Sequence, residues 1–253
     1  MTAARQQELI ATANTLLEAR RTGHTLADLP TELQPTDLAE VYFVQDKLAA
    51  SYGEIGGWKV GAPNPEATPV FAPMPKAWIA ASGSVLTNLR YRGLEAEIAF
   101  LVGEDLPPRA TPYTRQEALA AMESCHPAIE VLETALTDPM TAARNSMLAD
   151  LQLHGGFIYG PAFDNWKAAD FNAEKVTLAV DGVVRVERVG SNTSGDLLKL
   201  IPWMANEAAT RTGGLRKGQW ITTGSWTGNT LAGPTSEVDV MFATAGDVTL
   251  RFA

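Results

Sequence analysis

The chain is poor in the residues that build several common kinds of site. Among 253 residues there is one cysteine, Cys125. This excludes an intrachain disulfide and any thiolate metal cluster. Only three histidines occur, His24, His126 and His154, which argues against a zinc site of imidazole and thiolate. Positive charge is scarce too: 20 Lys and Arg against 29 Asp and Glu leave a net charge of −9. A general nucleic-acid surface or a polybasic membrane anchor needs the opposite balance. There is no glycine-rich phosphate loop followed by Lys-Ser/Thr, no G-x-G-x-x-G and no G-x-S-x-G. The longest uncharged run near the C-terminus, Gly218 to Ser236, is too polar to span a bilayer. The first twenty residues lack the short apolar core of a signal peptide. The expectation is a cytoplasmic protein with neither membrane nor nucleic acid as partner.

The residues present describe a globular α+β chain. Apolar residues at 45% and charged residues at 19% suffice for a large core. Leu9, Ile10, Ala13, Leu16 and Leu17 recur at helical spacing, and a second helix is predicted from Thr36 or Asp37 through Leu48, stopping near Gly53. Residues 1–55 thus read as a helical segment packed on a strand-rich core, 56–253, the two making one functional domain. Prolines between Pro63 and Pro75 read as a long loop. Strands are expected at Glu95–Val102, Ala128–Leu132, Phe157–Tyr159, Val176–Val180, Val183–Val189, Trp220–Thr223, Val238–Phe242 and Val248–Phe252. Asp181-Gly182 marks a tight hairpin. Thr114 and Glu117 form a capping box. A last helix is expected from Asp196 to Arg211, kinked or delayed by Pro202 and stopped by Gly213-Gly214.

Three carboxylates stand out. On a strand Glu95 and Glu97 share one face, while Ala96, Ile98, Phe100 and Val102 fill the other. Glu130 sits within another apolar run. Adjacent carboxylates repel and lose hydration, and a hard divalent cation relieves both costs. An all-carboxylate set favours magnesium or manganese. A solvent-facing strand edge for the first two, and a salt bridge for Glu130, are the plainer alternatives. Lys59, in Gly56-Gly57-Trp58-Lys59-Val60-Gly61, reads as a half-buried ammonium able to pair with an anion or move a proton.

Gly57-Trp58-Lys59-Val60-Gly61, the strand with Glu95 and Glu97, and Pro127-Ala128-Ile129-Glu130-Val131 together resemble the fumarylacetoacetate hydrolase superfamily. Tyr42 to Asp46, Gly155 to Gly160, Trp203 to Asn206 and Thr223 to Gly228 are similar to its 2-keto-4-pentenoate hydratase branch. The resemblance covers nearly the whole chain. It implies a mixed β-roll or barrel-like core, with magnesium or manganese on Glu95, Glu97 and Glu130. It further implies a 2-oxo or 2-hydroxy-dienoic acid from aromatic catabolism as substrate, and water addition as the reaction. Lys59 matches the catalytic lysine, and Thr227 lies in a Thr-Gly segment expected to touch substrate. A homo-oligomer is implied, and association with a related decarboxylase or hydratase is a further expectation.

The chain also departs from that pattern. Where the branch carries an acidic residue after the lysine, Thr68 to Pro73 has none, and Glu66 is the nearest substitute. Asp150 to Gly156 replaces the usual Asp-Asn-x-Ser approach to the glycine pair. There Gln152 and His154, two apart, are expected on one strand face, Gln152 as a substrate contact and His154 as an acid or base, or else as a structural histidine. His126 is left as a neighbour of the site. Val70, Phe71, Met74 and Trp78 either line a pocket for an apolar tail or simply pack. Gly190 to Gly195 is either a cover for the site or an ordinary loop. Two other enzymes suit the scaffold, a 2-oxo-enedioate decarboxylase and a C–C hydrolase. A His-x-x-Glu pair would mark the hydrolase, and His24 is followed by Ala27 instead. A non-catalytic accessory subunit is the remaining alternative.

Overall fold

Two helices open the chain. α1 (Ala3–Thr22) is capped by the Thr2 hydroxyl, which accepts from the Arg5 N–H, and closed by Gly23 in the left-handed region. α2 (Leu38–Ala50) is capped by Asp37 and ends before Gly53. Leu9 and Leu16 of α1 pack with Val44 and Leu48 of α2 as one apolar cluster, which also takes in Ala149 and Leu151. The structure, a computed structural model, describes residues 1–253.

The body holds thirteen strands: β1 (Ile55–Gly61), β2 (Val70–Pro75), β3 (Ile79–Ala81), β4 (Ser84–Leu86), β5 (Gly93–Val102), β6 (Met122–Leu132), β7 (His154–Tyr159), β8 (Lys175–Val180), β9 (Val183–Val189), β10 (Trp220–Thr222), β11 (Thr230–Leu231), β12 (Glu237–Phe242) and β13 (Gly246–Phe252). The larger sheet runs β2-β1-β10-β5-β6-β7-β3, with β11 also on β5. The smaller runs β4-β13-β12-β8-β9. Neither path closes into a barrel. The alternation in β5 places Leu94, Ile98 and Phe100 in one shared core with Leu178, Val240 and Leu250 of the smaller sheet.

Short helices fill the connections. α3 (Arg115–Ala120) carries the expected capping box. α4 (Arg144–Ala149) precedes β7. The predicted helix after Asp196 is broken into a 3₁₀ turn (Leu197–Lys199), α5 (Leu200–Asn206) and α6 (Ala209–Thr212), with Pro202 tolerated in the first turn of α5. Asp181 and Gly182 both take positive φ, 53° and 73°, as a tight hairpin requires.

The proline-rich stretch is a loop only as far as Pro69, because β2 begins at Val70. Pro73 and Pro75 are tolerated there since β2 is the sheet's edge and needs partners on one side only. β6 extends back to Met122 through Pro127, whose carbonyl still accepts from Gly160 at 2.8 Å. Gly57 is required by packing: a Cβ there would lie 2.4 Å from the Trp220 carbonyl oxygen, where β1 runs beside β10.

Two arginines tie the helices to the body. Arg211 pairs with Asp46 at 2.6 Å and lies over the rings of Tyr42 and Phe71. Arg20, its side chain almost fully buried, meets Asp150 at 2.5 Å and donates to the carbonyls of Glu133, Asp150 and His154. Asp150 also accepts from the Thr134 hydroxyl and the Ala135 N–H, both at 2.7 Å. Removing one member of such a buried pair strands the other. Arg20→Met is therefore expected to cost about 3 kcal/mol in urea unfolding; stability equal to the wild type would refute the clamp.

Candidate metal centre and substrate cavity

Register builds the centre. β5 and β6 are antiparallel with Glu95 directly opposite Glu130, and Glu97 opposite Ala128. One carboxylate oxygen from each of the three glutamates lies within 4.8 Å of the others. Glu97 and Glu130 are buried, and Glu95 is half-buried. Lys59 reaches the group from β1, its Nζ 2.6 Å from Glu130 Oε1 and 2.9 Å from the Gln152 carbonyl oxygen. Glu97 Oε2 accepts from the Gly224 N–H at 2.9 Å and from the Thr222 hydroxyl. Glu130 Oε2 is buried without a partner.

The charges do not balance. Burial, then Glu130 and Glu95, push the Glu97 carboxyl well above the ordinary range. Burial also raises Glu95, against the pull of Lys59. Glu130 differs: burial pushes it up, but Lys59 and the hydrogen bond from His154 outweigh this and hold it at about 2. Burial works against the Lys59 ammonium, yet the three carboxylates together keep its pKa raised. Fully ionised, three carboxylates against one ammonium would leave two negative charges, and it is this excess that holds the proton on Glu97 in the metal-free centre. An orphaned carboxylate oxygen and an all-oxygen donor set with that excess fit a hard divalent cation.

A cavity of about 420 Å³ opens over this floor. Its lining includes Lys59, Glu95, Glu97, Glu130, Gln152, Ser225 and Asn229, with Val70, Leu132, Met147, Leu148 and Leu153 as hydrocarbon wall. Ser191 and Thr193 of the polar glycine-flanked loop also line it.

Several expected residues stand elsewhere. His154 is fully buried behind Glu130, with Nδ1 3.0 Å from Oε1, and does not line the cavity. Burial favours its neutral ring, although Glu130 opposes this. The residue therefore reaches the cavity only through Glu130. Gln152 and His154 do not share a strand face. Leu151, Gln152 and Leu153 all have positive φ, at 51°, 52° and 65°, and this left-handed turn breaks the alternation before β7 starts. It turns the Gln152 carbonyl toward Lys59, while its side-chain Oε1 is buried without a partner. Thr227 is a strut: its hydroxyl accepts from the Ala96 N–H at 3.0 Å and donates to the Gly228 carbonyl. Ser225 and Asn229, its neighbours, line the cavity instead.

Of the four proposed tail contacts only Val70 lines the cavity; Phe71 and Met74 are core, and Trp78 faces a separate cleft beside α1. His126 bonds Gly160 and Ser124 away from the centre. Glu66 is exposed and outside the lining. Arg144, Tyr91 and Ser225 were missed: each stands in a connection or helix start where no periodicity marks it.

An open eight-stranded sheet carrying a carboxylate triad and a lysine, faced by a second sheet, defines an α+β chain with an all-oxygen donor set suited to a hard divalent cation. Residues 41–252 match the C-terminal domain of fumarylacetoacetate (FAA) hydrolase, and the chain belongs to that family. A TodF product hydratase of Pseudomonas putida is 24% identical over 95% of this chain and 94% of that protein. A 2-hydroxyhexa-2,4-dienoate hydratase of Comamonas testosteroni is 24% identical over 62% of this chain and 59% of its own length. Among solved structures, a 4-oxalocrotonate decarboxylase of Pseudomonas putida G7, complexed with magnesium and adipate, shares the fold. Its TM-score is 0.85 at 21% identity, covering 100% of this chain and 99% of that one. No helix is long and apolar enough to cross a membrane.

The raised Glu97 carboxyl has a consequence for stability. Above its ordinary pKa of 4.5 the unfolded chain has released this proton while the folded chain keeps it. Folded protein then binds more protons, so metal-free stability falls as the pH rises through the folded pKa. Glu130 acts oppositely, its contribution being lost only as the pH falls from 4.5 toward about 2. Chelated protein is expected to lose urea stability as the pH rises above 4.5 and through the raised folded pKa of Glu97. Saturating magnesium, or Glu97→Gln without metal, is expected to flatten the decline. A flat profile in the chelated wild type would overturn this account.

Proposed function

We propose that this protein is a metal-dependent hydro-lyase that adds water to a 2-hydroxy-dienoate, through its 2-oxo-enoate form, giving a 4-hydroxy-2-oxo acid. The observation that carries the reading is the floor of the cavity, where Glu95, Glu97 and Glu130 converge beside Lys59, a single ammonium for three carboxyl groups. The two hydratase-named relatives support the reaction class.

Glu95, Glu97 and Glu130 would hold magnesium or manganese, which when bound supplies Lewis acidity toward a 2-oxo acid head group. The remaining work falls to side chains of this chain. Lys59 Nζ faces the cavity and moves the proton that turns dienol into enone. Its position is held by Glu130 Oε1 and the Gln152 carbonyl, which leave the ammonium little rotational freedom. Ketonisation protonates C5 and leaves a C3–C4 double bond conjugated with the 2-oxo group. Water then adds at C4 and a proton at C3. His154 is a positioning residue, fixing Glu130 from behind. Gln152 and Ser225 offer polar contacts to substrate, and the apolar wall excludes bulk water from the reacting carbons.

Incubation with magnesium and 2-hydroxypenta-2,4-dienoate is expected to consume the dienol absorbance and yield 4-hydroxy-2-oxopentanoate. Lys59→Met is expected to lower kcat by about 10²-fold or more while magnesium still raises its melting temperature. Full activity after exhaustive chelation would sink the reading. Carbon dioxide released from a 2-oxo-enedioate, with no hydration, would replace it by decarboxylation.

A further inference from the structure

Between β10 and β11 the chain leaves the sheet and passes the carboxylate centre, and the loop after β9 holds it there. Asn192, on that loop, is 7% exposed and does not line the cavity. Its side-chain amide is engaged at both ends. Nδ2 donates to the Thr223 carbonyl at 2.9 Å and to the Gly224 carbonyl at 3.0 Å, and Oδ1 accepts from the Ser194 N–H at 2.9 Å. The Thr223 carbonyl belongs to the same peptide unit as the Gly224 N–H, which donates to Glu97 Oε2 at 2.9 Å. In a trans peptide these two groups point in opposite directions. A single rigid plane thus joins the Asn192 amide to a carboxylate of the centre. Gly224 has φ 86° and lies beyond the end of β10, so no sheet ladder fixes the direction of its N–H.

We propose that Asn192 is a positioning residue for the metal centre, acting on Glu97 through the Thr223–Gly224 peptide. This rests on the metal reading above and extends it to a residue outside the cavity. Anchoring the carbonyl fixes the tilt of the peptide plane, and with it the line along which the N–H meets Glu97. A carbonyl that accepts a hydrogen bond also makes the N–H of its own peptide a stronger donor. The Thr222 hydroxyl donates to the same oxygen, Oε2. Two donors on Oε2 restrict rotation of the carboxylate, which sets the direction of Oε1 as well. Partners that orient metal-ligating carboxylates govern metal affinity by about 10- to 100-fold. The plainer role for Asn192, closing its own loop, uses a different atom. Oδ1 takes the Ser194 N–H, whereas Nδ2 makes both bonds to the segment beside Glu97.

The test separates those two atoms. At pH 8, N192D keeps an acceptor for the Ser194 N–H but sets an acceptor against the two carbonyls. Ser194 Oγ is buried without a partner, so S194A disturbs the same loop and removes no hydrogen bond. Magnesium binding to the full chain is measured calorimetrically without substrate. N192D is expected to bind magnesium about tenfold more weakly than wild type, and S194A to bind it like wild type. Wild-type affinity in N192D, or an equal loss in S194A, would overturn the role of Asn192 while leaving the metal reading intact. No magnesium binding by wild type would overturn that reading and this proposal with it. Should N192D fail to fold, the wild type still decides. Its Gly224 N–H and Asn192 side-chain amide resonances are both expected to shift in ¹⁵N-correlated spectra as magnesium saturates the protein, and an unmoved Asn192 amide would overturn the relay.

Discussion

Like charges placed face to face govern this structure. Glu95 stands opposite Glu130 in a central strand pair, where repulsion between cross-strand neighbours destabilises a sheet, and Glu97 adds a third carboxylate one step along. The opposite face of the same strand is committed to the core through Leu94, Ile98 and Phe100, so a shift in register would bury the charges in hydrocarbon. The register is thus held by packing, and the carboxylates are held together against their own repulsion. With all three ionised, one ammonium, Lys59, offsets only a third of that charge. The rest is a standing demand for a cation.

Holding Lys59 in place draws in the whole chain. Its second partner is a carbonyl in a turn of three left-handed residues, none of them glycine. Such conformations cost about 1–3 kcal/mol each and persist only where surrounding contacts over-determine them. Here those contacts come largely from α1. Arg20 pairs with Asp150 immediately before the turn and donates to the His154 carbonyl immediately after it. The helical segment therefore does more than cover the sheet. It brackets the turn that steers the lysine, and places His154 against Glu130.

This explains which parts of the site were legible in sequence. Glu95 and Glu97 were visible because strand alternation exposes a charged face in an apolar run. Glu130 was visible as a lone carboxylate in a second such run, and Lys59 through its flanking glycines. These signals are local and periodic. The left-handed turn is neither, so assuming a strand through Gln152 and His154 gave them a common face they do not have. β2 was hidden because proline is normally hostile to strands, and only the sheet order reveals an edge where it is tolerated. Thr227 sits in the right segment, but its hydroxyl is used by the Ala96 N–H. Arg20 acts across long sequence separations, where spacing carries no information.

The floor charge also sets an order of events. A carboxylate approaching the metal-free floor meets uncompensated negative charge in a poorly solvated cleft, where Coulomb repulsion is stronger than in water. Attraction from Lys59 is already engaged by Glu130 Oε1 at 2.6 Å. An anion therefore gains little by entering first. Neutralisation of the excess by a divalent cation reverses the sign of the encounter, and frees the hydrocarbon wall to contribute. Under the proposed function, cation occupancy would thus be a precondition for substrate occupancy.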